Sequence, residues 1–234
     1  MSSPRFRTTR WSMVLAAGVP SEPQAQLALR ELCEAYWYPL YAFLRRDGVD
    51  EAEAMDLVQG FLADVLVRGE LGADPGRGRF RSYMIGALRN YRSNVRRAAA
   101  AQKRGGDVQS FGLDDAETRY AHEPADTESP EVLFERRWAT TLIDRAIERL
   151  EAEYRDRGRG DVFDELQDTL AGGAVDTYAE KAAALGLSES AVKVGVHRMR
   201  GRLREILREE VAQTVCEEGD IDDELKRLFA ALAG

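Results

Sequence analysis

Tyr178-Ala179-Glu180-Lys181-Ala182-Ala183-Ala184-Leu185-Gly186-Leu187-Ser188-Glu189-Ser190-Ala191-Val192-Lys193-Val194-Gly195-Val196-His197-Arg198-Met199 reads as two helices meeting at a corner. Asp176 can cap the first helix, from Thr177 to Leu185, and Ser188 with Glu189 starts the second, which reaches about Glu210. Gly186 suits the positive φ that a tight turn needs, and Leu185 and Leu187 pack the corner. Val192, Val196, Met199 and Leu203 recur at i, i+4, i+7 and i+11, so they form one buried seam. That orientation turns Ser190, Lys193, Val194, His197 and Arg198 outward. A helix-turn-helix offers such a face to the major groove, where Lys and Arg reach guanine edges or phosphate and Val194 can meet a thymine methyl. Amphipathic helices with basic outer faces also occur in helical proteins that never touch DNA.

A second segment points the same way. From Arg77 to Arg104 there are nine Lys or Arg (Arg77, Arg79, Arg81, Arg89, Arg92, Arg96, Arg97, Lys103, Arg104) and no Asp or Glu, in a chain of formal charge −8. Cations that neutralise phosphates release condensed counterions, so a segregated basic segment signals nucleic acid better than the whole-chain charge does. The acid is concentrated elsewhere. Nine carboxylates stand between Asp107 and Glu135 against Arg119 alone, and a second acidic block runs from Glu209 to Glu224. Such runs are ordinarily solvated surface; they can also suppress indiscriminate DNA binding by the free protein.

The 234 residues allow one or two compact domains. Ala, Leu, Arg and Glu dominate and no run alternates with period two, so the expected fold is all-α: two small helical domains joined by a flexible acidic linker, the second a helix-turn-helix domain. The expected division is an N-terminal extension (1–23), a helical domain (24–104), an acidic linker (105–130), the helix-turn-helix domain (131–213) and a C-terminal amphipathic tail (214–234). In the extension Trp11, Val14 and Leu15 make a short amphipathic opening ended by Gly18, Pro20 and Pro23. A helix from Gln24 to Arg46 carries Leu29, Leu32, Tyr36, Leu40, Phe43 and Leu44 inward, with a kink or break expected at Pro39 and a stop at Gly48. The next helix, Glu51 to Arg68, places Ala54, Leu57, Val58, Phe61, Leu62 and Val65 inside and Glu53, Asp56, Gln59 and Asp64 on its other side. The glycine-rich stretch 69–78 is a loop, but it has neither the spacing nor the Lys-Ser/Thr ending of a nucleotide-binding loop.

Phe80 to about Ala101 is helical, with Ile85 and Leu88 inward and Tyr83, Asn90 and Tyr91 able to share the basic side. Ser129-Pro130-Glu131 opens a helix to about Arg157 with Phe134, Trp138, Leu142, Ala146, Leu150 and Tyr154 on one stripe. A shorter helix runs from Asp161 to Leu170. In the tail, Ile221, Leu225, Leu228, Phe229 and Leu232 form an apolar stripe, either docked on the protein's own surface or open to an inhibitor or signalling partner.

No catalytic, metal or cofactor site is expected. Cys33 and Cys216 lack metal-ligand spacing, and neither His122 nor His197 stands in a nucleophile, base or carboxylate constellation. No apolar run approaches a bilayer span and the first ten residues lack a signal-peptide core, so no membrane association and a cytoplasmic location are expected.

With both segments located, the chain resembles the extracytoplasmic-function (ECF) group of bacterial sigma factors, and more narrowly its larger members of planctomycete type. The residues that carry the resemblance are Ala52-Glu53-Ala54-Met55-Asp56-Leu57-Val58-Gln59-Gly60-Phe61-Leu62, Gly78-Arg79-Phe80-Arg81-Ser82-Tyr83-Met84, Leu88-Arg89-Asn90-Tyr91, Tyr178 to Ser188, Val192-Lys193 and His197-Arg198-Met199-Arg200. It implies promoter-specific transcription initiation with core RNA polymerase and promoter DNA as partners, and it leaves room for an anti-sigma or signalling partner. By resemblance Glu53, Asp56 and Gln59 would meet core polymerase. Arg79, Arg81, Tyr83, Arg89, Asn90, Arg92 and Arg96 would read and melt the minus-10 element, with a base pocket at the 69–78 loop, Tyr83 and Asn90. Ser190, Lys193, Val194, His197 and Arg198 would read the minus-35 element. The acidic tether would run into the polymerase cleft. Two rivals stand beside this: a helix-turn-helix regulator independent of polymerase, which leaves the basic helix unexplained, and a protein-only interaction scaffold.

Overall fold

The computed structural model describes residues 23–68, 80–101, 116–123, 128–171, 178–215 and 218–233. Among them there is no strand, and the chain is all-α. The helices are α1 (Pro23–Arg46), α2 (Glu51–Arg68), α3 (Phe80–Ala101), α4 (Ala116–Ala121), α5 (Pro130–Asp156), α6 (Gly160–Leu166), α7 (Tyr178–Leu185), α8 (Glu189–Ala212) and α9 (Ile221–Ala233). Short 3-10 turns cover Gln167–Ala171 and Glu218–Asp220. Two compact units emerge: residues 1–141 with 211–234, and residues 142–210. Trp11, the 69–78 loop with Arg77, and Arg79, Lys103, Arg104, Asp176 and Cys216 lie outside the described residues, as do the side chains of Leu29 and Leu32.

In the first unit α1, α2 and α3 bury their apolar faces together. Tyr36, Leu40, Phe43 and Leu44 of α1 and all six expected residues of α2 are buried, as are Ile85 and Leu88 of α3. Of the kink or break expected at Pro39, the break does not occur, and α1 runs through it as one helix. The missing donor costs one helical hydrogen bond, and burial of the flanking Tyr38, Leu40 and Tyr41 outweighs it. The helix ends where Gly48 adopts φ +79°, with Gly48 N–H donating to the Arg45 carbonyl and Val49 N–H to the Leu44 carbonyl. Asp50 caps α2 by accepting from Glu53 N–H at 2.9 Å. The start of α5 joins this core: Phe134 and Trp138 are fully buried, and Tyr36 meets Phe80 edge-on at 4.9 Å.

Part of the acidic stretch is not free. α4 lies on α1, where Glu117 accepts from Tyr41 Oη and from both Nε and Nη2 of Arg45 (3.0 and 2.7 Å). Arg45 holds the Glu117 carboxyl below the usual glutamate range, with the Tyr41 hydroxyl adding to the effect against the opposing pull of burial. Glu123 in turn accepts from Tyr38 Oη at 2.7 Å and from Arg137. The expected tether is therefore stapled to the first unit over residues 116–123, because its carboxylates face arginines rather than water.

The tail departs from its expected stripe. Ile221 and Leu228 are buried, but Phe229 and Leu232 are exposed, and Glu224 points inward at 1 % exposure. A charge inside a helix's docked face requires a buried cation, and Arg81 supplies it.

The second unit is built from the latter part of α5 with α6, α7 and α8. Leu142, Ala146, Leu150 and Tyr154 are buried as expected, together with Phe163 and Leu166. α6 stops at Leu166, short of Leu170, and continues as the 3-10 turn. The Lys181 ammonium, largely buried, donates to the Glu165 carbonyl at 2.6 Å and pairs with Asp168 at 2.9 Å, tying α7 to that segment. Arg200 forks onto the Thr169 carbonyl (3.0 and 2.5 Å) and ties α8 to it. Arg202 grips Glu153 through two hydrogen bonds of 2.9 and 2.7 Å.

Candidate nucleic-acid interface

The corner between α7 and α8 forms as its residues require. Gly186 sits at φ +63°, which a side chain would strain, and its flanking helices end and begin within one residue of the expected positions. Ser188 Oγ accepts from Ala191 N–H at 3.2 Å and so caps α8. Val192, Val196 and Met199 are buried and Leu203 is half-buried, which leaves Ser190, Lys193, Val194, His197 and Arg198 exposed on one side. Val194 keeps 49 % of its surface. Lys193 leans over the Tyr178 ring, 5.5 Å from its centroid, and lies 3.8 Å from Glu189. Both contacts are long and exposed, so either yields to a phosphate or a base at little cost.

Gly195 lies on the inward side of that helix, where an added Cβ would stand 3.7 Å from Leu166 Cδ1, an ordinary contact distance. Gly195→Ala should therefore stabilise the second unit by about 1 kcal/mol. Thermal unfolding of the full chain checks this, since a lower midpoint would mean that the helices need the closer approach.

The basic helix α3 divides into an inner and an outer set. Arg81 belongs to the inner one and corrects the sequence expectation that it holds DNA. It is 2 % exposed, stacks over Trp138 at 4.5 Å, and pairs with Glu135 at 2.9 Å and Glu224 at 3.2 Å. Tyr83, expected at a base pocket, is half-buried with its ring stacked against Phe80 at 6.5 Å. Tyr91 packs on Phe61 at 5.8 Å, and its hydroxyl lies where a Cβ on Gly60 would come within 2.4 Å, so Gly60 permits α2 and α3 to close.

The outer set comprises Arg89, Asn90 and Arg96, all exposed, with Arg92 half-buried beside them. Each of the three arginines meets a carboxylate from another element: Arg89 pairs with Glu131, Arg92 with Asp47, and Arg96 with Glu53 at 3.5 Å. Asp47 and Glu131 were not anticipated, and no local pattern around them announces the pairing. On α2, Asp56 is exposed and Glu53 and Gln59 are half-buried, following one another along the same side. Among the described residues no ion pair engages Asp56, and no cluster of His, Cys, Asp and Glu could hold a metal ion. Nor is any described helix long and apolar enough to cross a membrane.

Residues 43–209 match the family model described as ECF sigma factor. Neither a curated protein nor a solved structure gives a significant match. The matched span contains the α2 acidic face, the outer α3 arginines and the whole α7–α8 corner.

Proposed function

The chain belongs to the ECF sigma factor family, a family that acts in transcription initiation, and from that premise we propose that it binds core RNA polymerase and directs it to promoters by contacting their minus-10 and minus-35 DNA. The observation that carries the DNA assignment is the exposed run Ser190, Lys193, Val194, His197 and Arg198 above a buried Val192, Val196 and Met199 seam. That face reads the minus-35 element: Lys193 and Arg198 donate to guanine edges or phosphates, and Val194 contributes apolar contact. Arg89, Asn90, Arg92 and Arg96 hold the minus-10 strand by charge, with Asn90 able to bond a base edge and Tyr83 beside them. Glu53, Asp56 and Gln59 meet a basic surface of core polymerase. The functional division of the chain follows the chemistry: residues 24–104 serve polymerase and the minus-10 element and residues 131–213 the minus-35 element.

The deciding experiment is core-polymerase pull-down followed by run-off transcription on genomic DNA. Core binding with transcripts starting at defined sites supports the proposal. A stable promoter complex without polymerase, and no core binding, would support an autonomous regulator instead. Lys193→Ala and Arg198→Ala should each weaken promoter complexes by about 1–3 kcal/mol where the residue makes a bidentate base contact. Unchanged promoter selection by both variants in run-off assays would take the α8 face out of DNA reading.

A further inference from the structure

The outer arginines of α3 are neutralised from three directions, and none of the three carboxylates lies on α3 itself. Asp47 comes from the turn after α1, Glu53 from the first turn of α2 and Glu131 from the first turn of α5. Arg92 is the most enclosed, its side chain 16 % exposed against Asp47. Arg97, the next in line, is occupied locally, donating to Asn94 Oδ1 at 2.6 Å and to the Ser93 carbonyl. A stretch that reads in sequence as unopposed positive charge thus meets three carboxylates along the described part of its outer side.

We infer that these carboxylates are a charge mask that keeps the free protein off DNA, and that Glu53 is the element through which polymerase lifts part of it. This rests on the proposed function only insofar as Glu53 is a polymerase contact. The physical reason is an exchange of partners. A phosphate reaches Arg96 or Arg92 by displacing a carboxylate already there, so fewer counterions are released per contact and both affinity and its salt dependence fall. Glu53 and Asp56 lie on one side of α2, with Glu53 at the border where the acidic side of α2 meets the basic side of α3. A basic partner surface that takes the Glu53 carboxylate leaves Arg96 without its anion, so core binding and DNA binding reinforce one another, and by reciprocity DNA favours core binding. Ion pairs this exposed are individually weak, which suits a mask that must exchange rather than lock.

The test uses the full chain without polymerase and an unrelated DNA duplex, with binding followed by fluorescence anisotropy over a range of salt. Asp47→Asn with Glu131→Gln should bind about three- to tenfold more tightly than the parent at low salt, from the summed strength of two surface pairs. The slope of log affinity against log salt should steepen by up to about 0.9 for each arginine released. Glu53→Gln should give the same change for one arginine. A control with the same loss of charge on other helices, Glu148→Gln with Asp161→Asn, should leave the slope where it was. Unchanged affinity and slope in the Asp47/Glu131 variant overturns the mask, and so does an equal gain in the control, which would mark a general effect of net charge. Core pull-down and run-off transcription with the parent chain separate the two ideas. Parent protein that initiates normally beside unresponsive variants sinks the mask alone, whereas parent protein that fails to bind core sinks the proposed function and the coupling with it.

Discussion

Arg81→Met should destabilise the first unit by about 3–5 kcal/mol, the cost of leaving a buried charge without its partner. Glu224 is 1 % exposed and Glu135 lies at the rim of the same cluster, so removing the guanidinium takes from the buried Glu224 carboxylate the cation that stands 3.2 Å away and leaves a second carboxylate nearby. Methionine keeps most of the stem's volume over Trp138, which separates loss of charge from loss of packing. Glu224→Gln should cost less, because Arg81 then keeps Glu135 at 2.9 Å and the amide can still accept. Arg89→Met, on the exposed side of the same helix, should move stability by well under about 1 kcal/mol, since Arg89 and Glu131 are both roughly half exposed. Denaturant unfolding of the three variants checks the order. Equal effects from Arg81 and Arg89 would mean that the Arg81 cluster contributes no more than a surface pair, and the docking of α9 would need another cause.

The contrast between those two arginines shows what the sequence could reveal. Helical period separates inside from outside only where apolar residues mark the seam, as Val192, Val196 and Met199 do in α8 or Leu57, Val58, Phe61 and Leu62 do in α2. In α3 the pattern is mostly Arg, Ser, Asn and Ala, and Arg81 counts as basic surface until Glu224, far along the chain, is seen to face it. The same blindness affected the tail. Five apolar residues at helical spacing suggested one stripe, docked or open to a partner, yet the helix turns Glu224 inward to Arg81 and leaves Phe229 and Leu232 outside. A charge that must be compensated outranks these two side chains, because an unpaired buried ion costs about 3–5 kcal/mol, whereas Phe229 and Leu232, only 53 % and 37 % exposed, each forfeit a part of the roughly 1.5–3 kcal/mol that full exposure would cost. The acidic stretch illustrates a third limit. Composition marks Glu117 and Glu123 as solvated, and only tertiary pairing with Arg45 and Arg137 shows them spent on the protein's own surface. The corner at Gly186 was legible because each of its requirements, a positive φ, a serine cap and a period-3.6 seam, is local.

Asp56→Arg should abolish most core-polymerase binding, by several kcal/mol or about two orders of magnitude in affinity, while leaving the isolated chain folded. Two observations set this expectation. Asp56 is exposed and, among the described residues, engaged in no ion pair, so the substitution removes no internal support. It also sits between Glu53 and Gln59 on the side of α2 turned away from the buried Leu57, Val58 and Phe61, where a partner's basic surface would meet it. Reversing a charge there both deletes an attraction and places two cations in contact, and like-charge juxtaposition across an interface is far more costly than truncation. Asp56→Ala should therefore lose much less than Asp56→Arg, and raising the salt should recover part of the binding of the arginine variant as screening weakens the repulsion. Because Glu53 must give up its pair with Arg96 to meet the polymerase, Glu53→Ala should lose no more than Asp56→Ala. Equilibrium binding to purified core enzyme, with unfolding curves as the control for folding, tests the series. Parental affinity in the arginine variant would remove the outward side of α2 from the proposed polymerase interface.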